Sequence, residues 1–162
     1  MKVEFNISGL DGVLATLRSL PPEIVSKRGG PVKLALAKGA RLIRDEAKGN
    51  LKAAIASGGD EATGLLEKNV IASRGKPPSS GKGERYLVRV KRRSYPKKGG
   101  KPVTTLKTAH LLEYGSAHQP ATPWLRPAFQ AKAREAIDVT VKDLNRRIAL
   151  VVKKLAAQNK GR

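Results

Sequence analysis

The sequence contains no cysteine, which excludes disulfides, thiol nucleophiles and cysteine-bound metals. Aromatic side chains are scarce: Phe5, Tyr86, Tyr95, Tyr114, Trp124 and Phe129 are all it has. With an apolar share of 40%, below the usual globular value, a core has to be built from Leu, Val, Ile and Ala. Such a core can fold and leaves room for stabilisation by partner subunits. Histidine occurs twice, and acids number 13 against 33 bases. No apolar run approaches the length of a membrane span. Met1 to Ile7 alternates polar and apolar residues and lacks the apolar stretch of a signal peptide, so a soluble protein made in a cytoplasm is expected, with no membrane partner.

What is present in excess is positive charge. The formal net charge is +20 over 162 residues, a length that fits one domain spanning 1–162 and that buries roughly two-thirds of its unfolded surface. The charge is uneven. Residues 1–73 carry a net +3, 74–107 carry +11 with a single acid, and 126–162 carry +7, whereas 108–125 contain one charged residue, Glu113. So large a charge opposes self-association unless something negative compensates it, and nucleic acid or an acidic protein surface is the natural candidate. The plainer alternative is a solvated basic surface that only aids solubility.

The patterning predicts an α+β domain. Val3, Phe5 and Ile7 alternate with polar residues as in a half-buried strand. Ser8 can cap a short helix from Gly9 to Leu20, closed by Pro21 and Pro22. Pro31 suits the first position of a second helix, along which Val32, Leu36, Ala40, Ile43, Ala47, Leu51 and Ala54 form an apolar stripe until Ser57-Gly58-Gly59 stops it. A helical turn over Thr63–Lys68 and a strand over Asn69–Ser73 follow. Residues 74–84 and 93–102 read as flexible basic loops. Between them Tyr86, Val88 and Val90 alternate with Leu87, Arg89 and Lys91, and Val103–Leu106 is expected to return as the second arm of a basic hairpin. Thr108 is expected to cap a short helix ending at Tyr114 and Gly115. Pro127 suits the first turn of a last helix whose stripe runs Phe129, Ala133, Ile137, Val141, Leu144, Ile148, Val152, Leu155. That helix is about 30 residues, on the order of 45 Å. The tail 158–162 is expected to fray. In sum, an antiparallel sheet of three to four strands packs against two long amphipathic helices.

The most distinctive segment is Glu113-Tyr114-Gly115-Ser116, a spacer, then Pro120-Ala121-Thr122-Pro123-Trp124-Leu125-Arg126-Pro127-Ala128-Phe129. It holds half the aromatic residues, and its prolines stiffen the backbone around Trp124. A rigid loop that carries an aromatic and an arginine loses little entropy on docking, which marks Glu113, Tyr114, Gly115, Pro123, Trp124, Leu125, Arg126, Pro127 and Phe129 as a subunit or partner interface. Equally, Trp124 and Phe129 can simply plug the end of the core.

The order Glu-aromatic-Gly-Ser, then Pro-aromatic-Leu-Arg-Pro-Ala, resembles the neck or tail-completion proteins of long-tailed bacteriophages, minor tail components that join heads to tails. The motif runs from Glu113 to Phe129, and the order of helices and basic hairpin around it agrees loosely over most of the chain. Trp124 stands where that family more often has Phe, and 74–107 is longer and more basic than its pattern. The resemblance implies a non-enzymatic α+β subunit of a ring, a hexamer, at the virion neck, assembled in the host cytoplasm. The ring lies between the head connector and the tail terminator, with double-stranded DNA in its bore. It implies no catalytic residues and no cofactor.

Other chemistry finds little footing. His110, Glu113 and His118 are the one conceivable metal set, with no further His or Cys to complete it. The Tyr114-Gly115-Ser116 turn lacks the second glycine and strand setting of a nucleophile elbow. Gly81-Lys82-Gly83 and Gly99-Gly100-Lys101 do not match a phosphate-binding loop. The adjacent acids Asp45–Glu46 and Asp60–Glu61 suggest no facing carboxylates. Arg85, Arg89, Lys91, Arg92, Arg93, Lys97, Lys98 and Lys101 form the strongest nucleic-acid candidate, with contacts to phosphates and no reading of bases. A free, non-specific nucleic-acid-binding protein is therefore the competing expectation.

Overall fold

The structure is a computed structural model that describes residues 30–58, 63–76, 84–96 and 103–159, without the side chains of 155, 158 and 159. The expected strand at Val3–Ile7, the helix at Gly9–Leu20, Lys97, Lys98, Lys101 and the tail from 160 lie outside the described residues. Among the described residues four helices and two strands follow one another: α1 (Pro31–Ser57), α2 (Leu65–Lys68), β1 (Val70–Arg74), β2 (Tyr86–Val90), α3 (Thr105–Tyr114) and α4 (Leu125–Asn159). At 35 residues, α4 is about 52 Å long.

Helix α1 starts at Pro31, whose missing N–H costs nothing in the first turn, and Gly58 caps its other end. It runs antiparallel to α4: Lys38 meets Asp143 at 3.2 Å, while Asn50, twelve residues later, donates to the Trp124 carbonyl at 3.2 Å. The seam between the two helices is made by small residues. A Cβ at Gly39 would lie 2.2 Å from Thr140 Oγ1 and 2.7 Å from the Ala136 carbonyl oxygen, so the backbones approach closely there. This closeness corrects the expected stripe. The fully buried positions in the first half of α1 are Ala35, Ala37 and Gly39, and Val32, Leu36, Ala40 and Ile43 are half-buried. On α4, Ala133, Leu144 and Ile148 are buried as expected and Ala128 and Ala136 join them, but Phe129 and Val152 are exposed.

Buried within the same seam is Asp143. Its carboxylate accepts from Arg147 one turn on, from Arg146 at 3.3 Å and from Lys38 across the seam. The hydrogen bond from Arg147 holds its pKa below the ordinary carboxylate value; burial opposes this, and Lys38 adds to it.

The sheet has two antiparallel strands among the described residues, in register Val70↔Val90 through Arg74↔Tyr86. Strand β2 therefore pairs with the strand before it, and Val103–Leu106 does not return as a strand: Thr105 and Leu106 are helical. Among the described residues a single bridge, Ser94↔Thr104, remains of that pairing. The reason is that Thr104 becomes the N-cap of α3, with its hydroxyl accepting from Lys107 N–H at 3.4 Å. Thr108, the expected cap, lies inside the helix and donates to the Thr104 carbonyl. The inner sheet face and α1, α2 and α3 enclose one core of Ala47, Leu51, Ala54, Leu66, Val70, Ala109 and Leu112, with Trp124 and Ala128 from the α4 end.

Two glycines of α1 should respond oppositely. Gly39→Ala should destabilise by about 1–3 kcal/mol through overpacking, despite the better helix propensity of alanine. Gly49, with nothing within 4 Å of its would-be Cβ, should gain about 0.5–1 kcal/mol as Gly49→Ala. Chemical denaturation of both variants measures the contrast.

Candidate interaction corner and basic edge

Helix α4 has no Ser, Thr, Asp or Asn at its start: Trp124 precedes Leu125, and the first N–H groups need an acceptor from elsewhere. Glu113, in the last turn of α3, supplies it. Its Oε2 accepts from the backbone N–H of Trp124 at 2.9 Å and of Leu125 at 2.8 Å, and its Oε1 accepts from the N–H of Arg126 at 3.1 Å. The Arg126 side chain closes the arrangement, its Nε donating to Oε1 at 2.8 Å and its Nη2 to the Glu113 carbonyl at 3.1 Å. Burial is the largest single influence on this carboxyl and favours the neutral form. The three backbone donors and the guanidinium together outweigh it and hold the pKa below the ordinary value.

The chain between the two helices is shaped to allow this. Gly115 has φ +79°, and a Cβ there would lie 2.8 Å from Ala121 N, so glycine is required on both counts. Ser116 Oγ accepts from the N–H groups of His118 and Gln119, and Thr122 N–H donates to the Leu112 carbonyl at 2.8 Å. Trp124 is thereby driven inward. It is 1% exposed, and its Nε1–H points to the Ala109 carbonyl at 3.4 Å.

The nine corner residues thus divide. Glu113 and Trp124 lie inside the subunit, Leu125 packs on the core half-buried, and Gly115 serves the turn. Trp124 is a plug of the core in this chain, not a surface anchor. Tyr114 (59% exposed), Arg126 and Phe129 (47%) face solvent, as do Pro123 and Pro127. The Arg126 guanidinium lies over the Tyr114 ring at 5.1 Å from its centre, and His110 packs tilted against the same ring at 4.7 Å. Beside them an apolar groove of about 500 Å³ runs between α1, β2 and the start of α4, lined by Ile43, Leu87, Val88, Leu125, Arg126 and Phe129 among others. Both oxygens of Glu113 are engaged by N–H donors, and no group of three metal-ligating side chains occurs among the described residues. No described helix is long and apolar enough to cross a membrane.

The basic edge is a second element. Arg85, Arg89, Lys91, Arg92 and Arg93 are all exposed. Sequence reasoning missed what holds the last three in place. Thr105, fully buried, donates its hydroxyl to the Lys91 carbonyl at 2.8 Å and accepts from the Arg93 N–H at 2.9 Å, while its own N–H donates to the Arg93 carbonyl at 2.8 Å. One threonine thus ties the backbone of residues 91–93 to the start of α3. The position of Thr105 beside the N-cap Thr104 gave no sign of this; a signal for Glu113 did exist, in the uncapped start of α4.

Replacing Glu113 by Ala should cost about 2–3 kcal/mol, through the lost charge-assisted bonds and the uncapped helix. Thr105→Val, similar in shape, should cost about 1–3 kcal/mol because two backbone groups lose their partner. Acid should act through the two lowered carboxyls. Their stabilisation is fully present above the ordinary carboxylate range, about pH 4, and is lost as pH falls through their lower folded values. Melting temperature should therefore change little from these groups between pH 7 and 5 and fall below about pH 4, less steeply in an Asp143→Asn, Glu113→Gln double variant.

Comparison of the chain with protein-family models, with curated proteins and with solved structures finds no match.

Proposed function

We propose that the chain is a structural, non-enzymatic subunit of a phage head–tail junction, a neck or tail-completion protein that forms a ring, a hexamer in the related family, between head connector and tail terminator around the DNA channel. The phage assignment rests on the Glu113–Phe129 motif. The observation that supports a docking role is the corner itself: Tyr114, Arg126 and Phe129 are exposed on a segment whose backbone is tied down by Glu113, Gly115 and Ser116. Docking through such a surface costs little ordering entropy. The far part of α4 offers a second apolar surface at Leu150 (59% exposed) and Val152 (49%). Within this reading the sheet gains further strands beyond the two described, the first from Val3, Phe5 and Ile7. The site of action is the virion neck, and the partners are sister copies and the neighbouring connector and terminator proteins.

Light scattering on the purified protein, alone and with a terminator partner, should give a mass several times the 17.4 kDa of one chain. A particle that stays single under both conditions, together with virion images that lack this chain at the collar, removes the proposal. Tyr114→Ala and Phe129→Ala should impair assembly with little change in melting temperature. Trp124→Ala, by contrast, should cost about 3–5 kcal/mol of stability, as a core truncation does.

A further inference from the structure

Lys38, Arg44, Lys52, Arg74, Arg126, Lys132, Arg146 and Arg147 each pair with a carboxylate. Among the described residues the other cations do not, and five of these, Arg85, Arg89, Lys91, Arg92 and Arg93, crowd into one short stretch of chain. The one acid close in sequence, Glu84, is held in a two-point bond by Arg74, at 2.8 and 2.6 Å, and offers them no compensation.

These five cations are also ordered in space. Within β2, Leu87 and Arg89 are exposed and alternate with the half-buried Tyr86, Val88 and Val90; Arg85 and Lys91 flank the strand, are exposed, and are each bonded through the backbone to the β1 side, to Gly75 and Asn69. From 85 to 91 an extended chain covers about 20 Å. Arg89 is steadied by its Nε bond to Ser73 Oγ at 2.8 Å on the partner strand. Lys91, Arg92 and Arg93 leave the strand on a backbone fixed by Thr105. The array is thus preorganised at the backbone, with its side chains exposed to solvent.

The geometry points to a phosphate-binding edge for double-stranded DNA, built from Arg85, Arg89, Lys91, Arg92 and Arg93 on the Thr105-anchored frame. An unpaired arginine row suits phosphate, because guanidinium bonds it in two-point fashion. A run of like charges along an extended strand suits a regularly charged duplex backbone. An acidic protein surface is the competing occupant, because Leu87 also lines the apolar groove beside β2, and the comparison with polyglutamate separates the two. The contacts carry no base reading. This inference deepens the ring reading, since it names the face that a channel would turn toward DNA; the binding itself requires only the single chain.

The test is fluorescence anisotropy of the full chain with two 20-base-pair duplexes of unrelated sequence, from 50 to 200 mM salt. Equal affinities are expected, with log affinity falling against log salt at a slope of about −4 to −5 for five phosphate contacts. The triple variant Lys91→Glu, Arg92→Glu, Arg93→Glu should lose at least tenfold in affinity and flatten that slope by about 3. The control is Arg134→Glu, Lys153→Glu, Lys154→Glu, an equal charge change on exposed residues of α4, and it should lose much less. Circular dichroism confirms that both variants are folded. An equal loss in the control shows that net charge alone binds and overturns the inference. So does absence of binding at 50 mM salt, or tighter binding to polyglutamate than to duplex. A ring seen by light scattering without DNA binding overturns this inference alone; DNA binding by a chain that never assembles overturns the ring alone.

Discussion

The carboxylate of Glu113 is the interaction on which the junction of α3 and α4 depends. A long helix preceded by a tryptophan presents unsatisfied N–H groups in a partly buried place, and the tryptophan side chain cannot accept from them. Glu113 reaches them from the end of the preceding helix, bonding three backbone N–H groups and one guanidinium. A negative charge there also suits the positive end of the α4 dipole. The cost of burying the carboxylate is offset by those four donors, and the lowered pKa shows which side prevails. Once the bond is made, the direction of α4, the burial of Trp124 and the outward aim of Tyr114 and Arg126 all follow.

At the other end of the α1–α4 pair a second buried acid plays a comparable part. Asp143 gathers Lys38 across the seam and Arg146 and Arg147 from its own helix. In a chain of net charge +20 these two buried acids hold together cations that would otherwise repel within the fold. The strand edge from Arg85 to Arg93 has no carboxylate partner among the described residues.

The corner and the basic edge are held in place in the same way. In each, a buried polar side chain bonds to backbone outside its own element: Glu113 to Trp124 and the first residues of α4, and Thr105 to residues 91–93. Backbone bonds of this kind order a loop while leaving its side chains exposed, the arrangement a docking surface requires.

Periodicity and end signals in the sequence were enough to locate α1 from Pro31 to Ser57, the turn before β1, both strands and the extent of α4, because these depend on residues within a turn or two of one another. The 113–129 segment was marked as a site by its prolines, glycine and aromatics, and the basic row by composition. The sequence left open whether Trp124 faces in or out, and tertiary structure turned it inward. It misplaced the cap of α3 by one turn, because Thr104 and Thr108 are equally able hydroxyls and the bridge to Ser94 decides between them. It assigned β2 the wrong neighbour, since alternation specifies a strand and says nothing of its partner. It placed large residues at the α1 seam where small ones are buried, because how closely two helices approach depends on both of them, at Gly39 and Thr140 together. Local chemistry determined the elements; contacts between residues far apart in the chain, satisfying N–H groups and excluding Cβ atoms, decided how they meet.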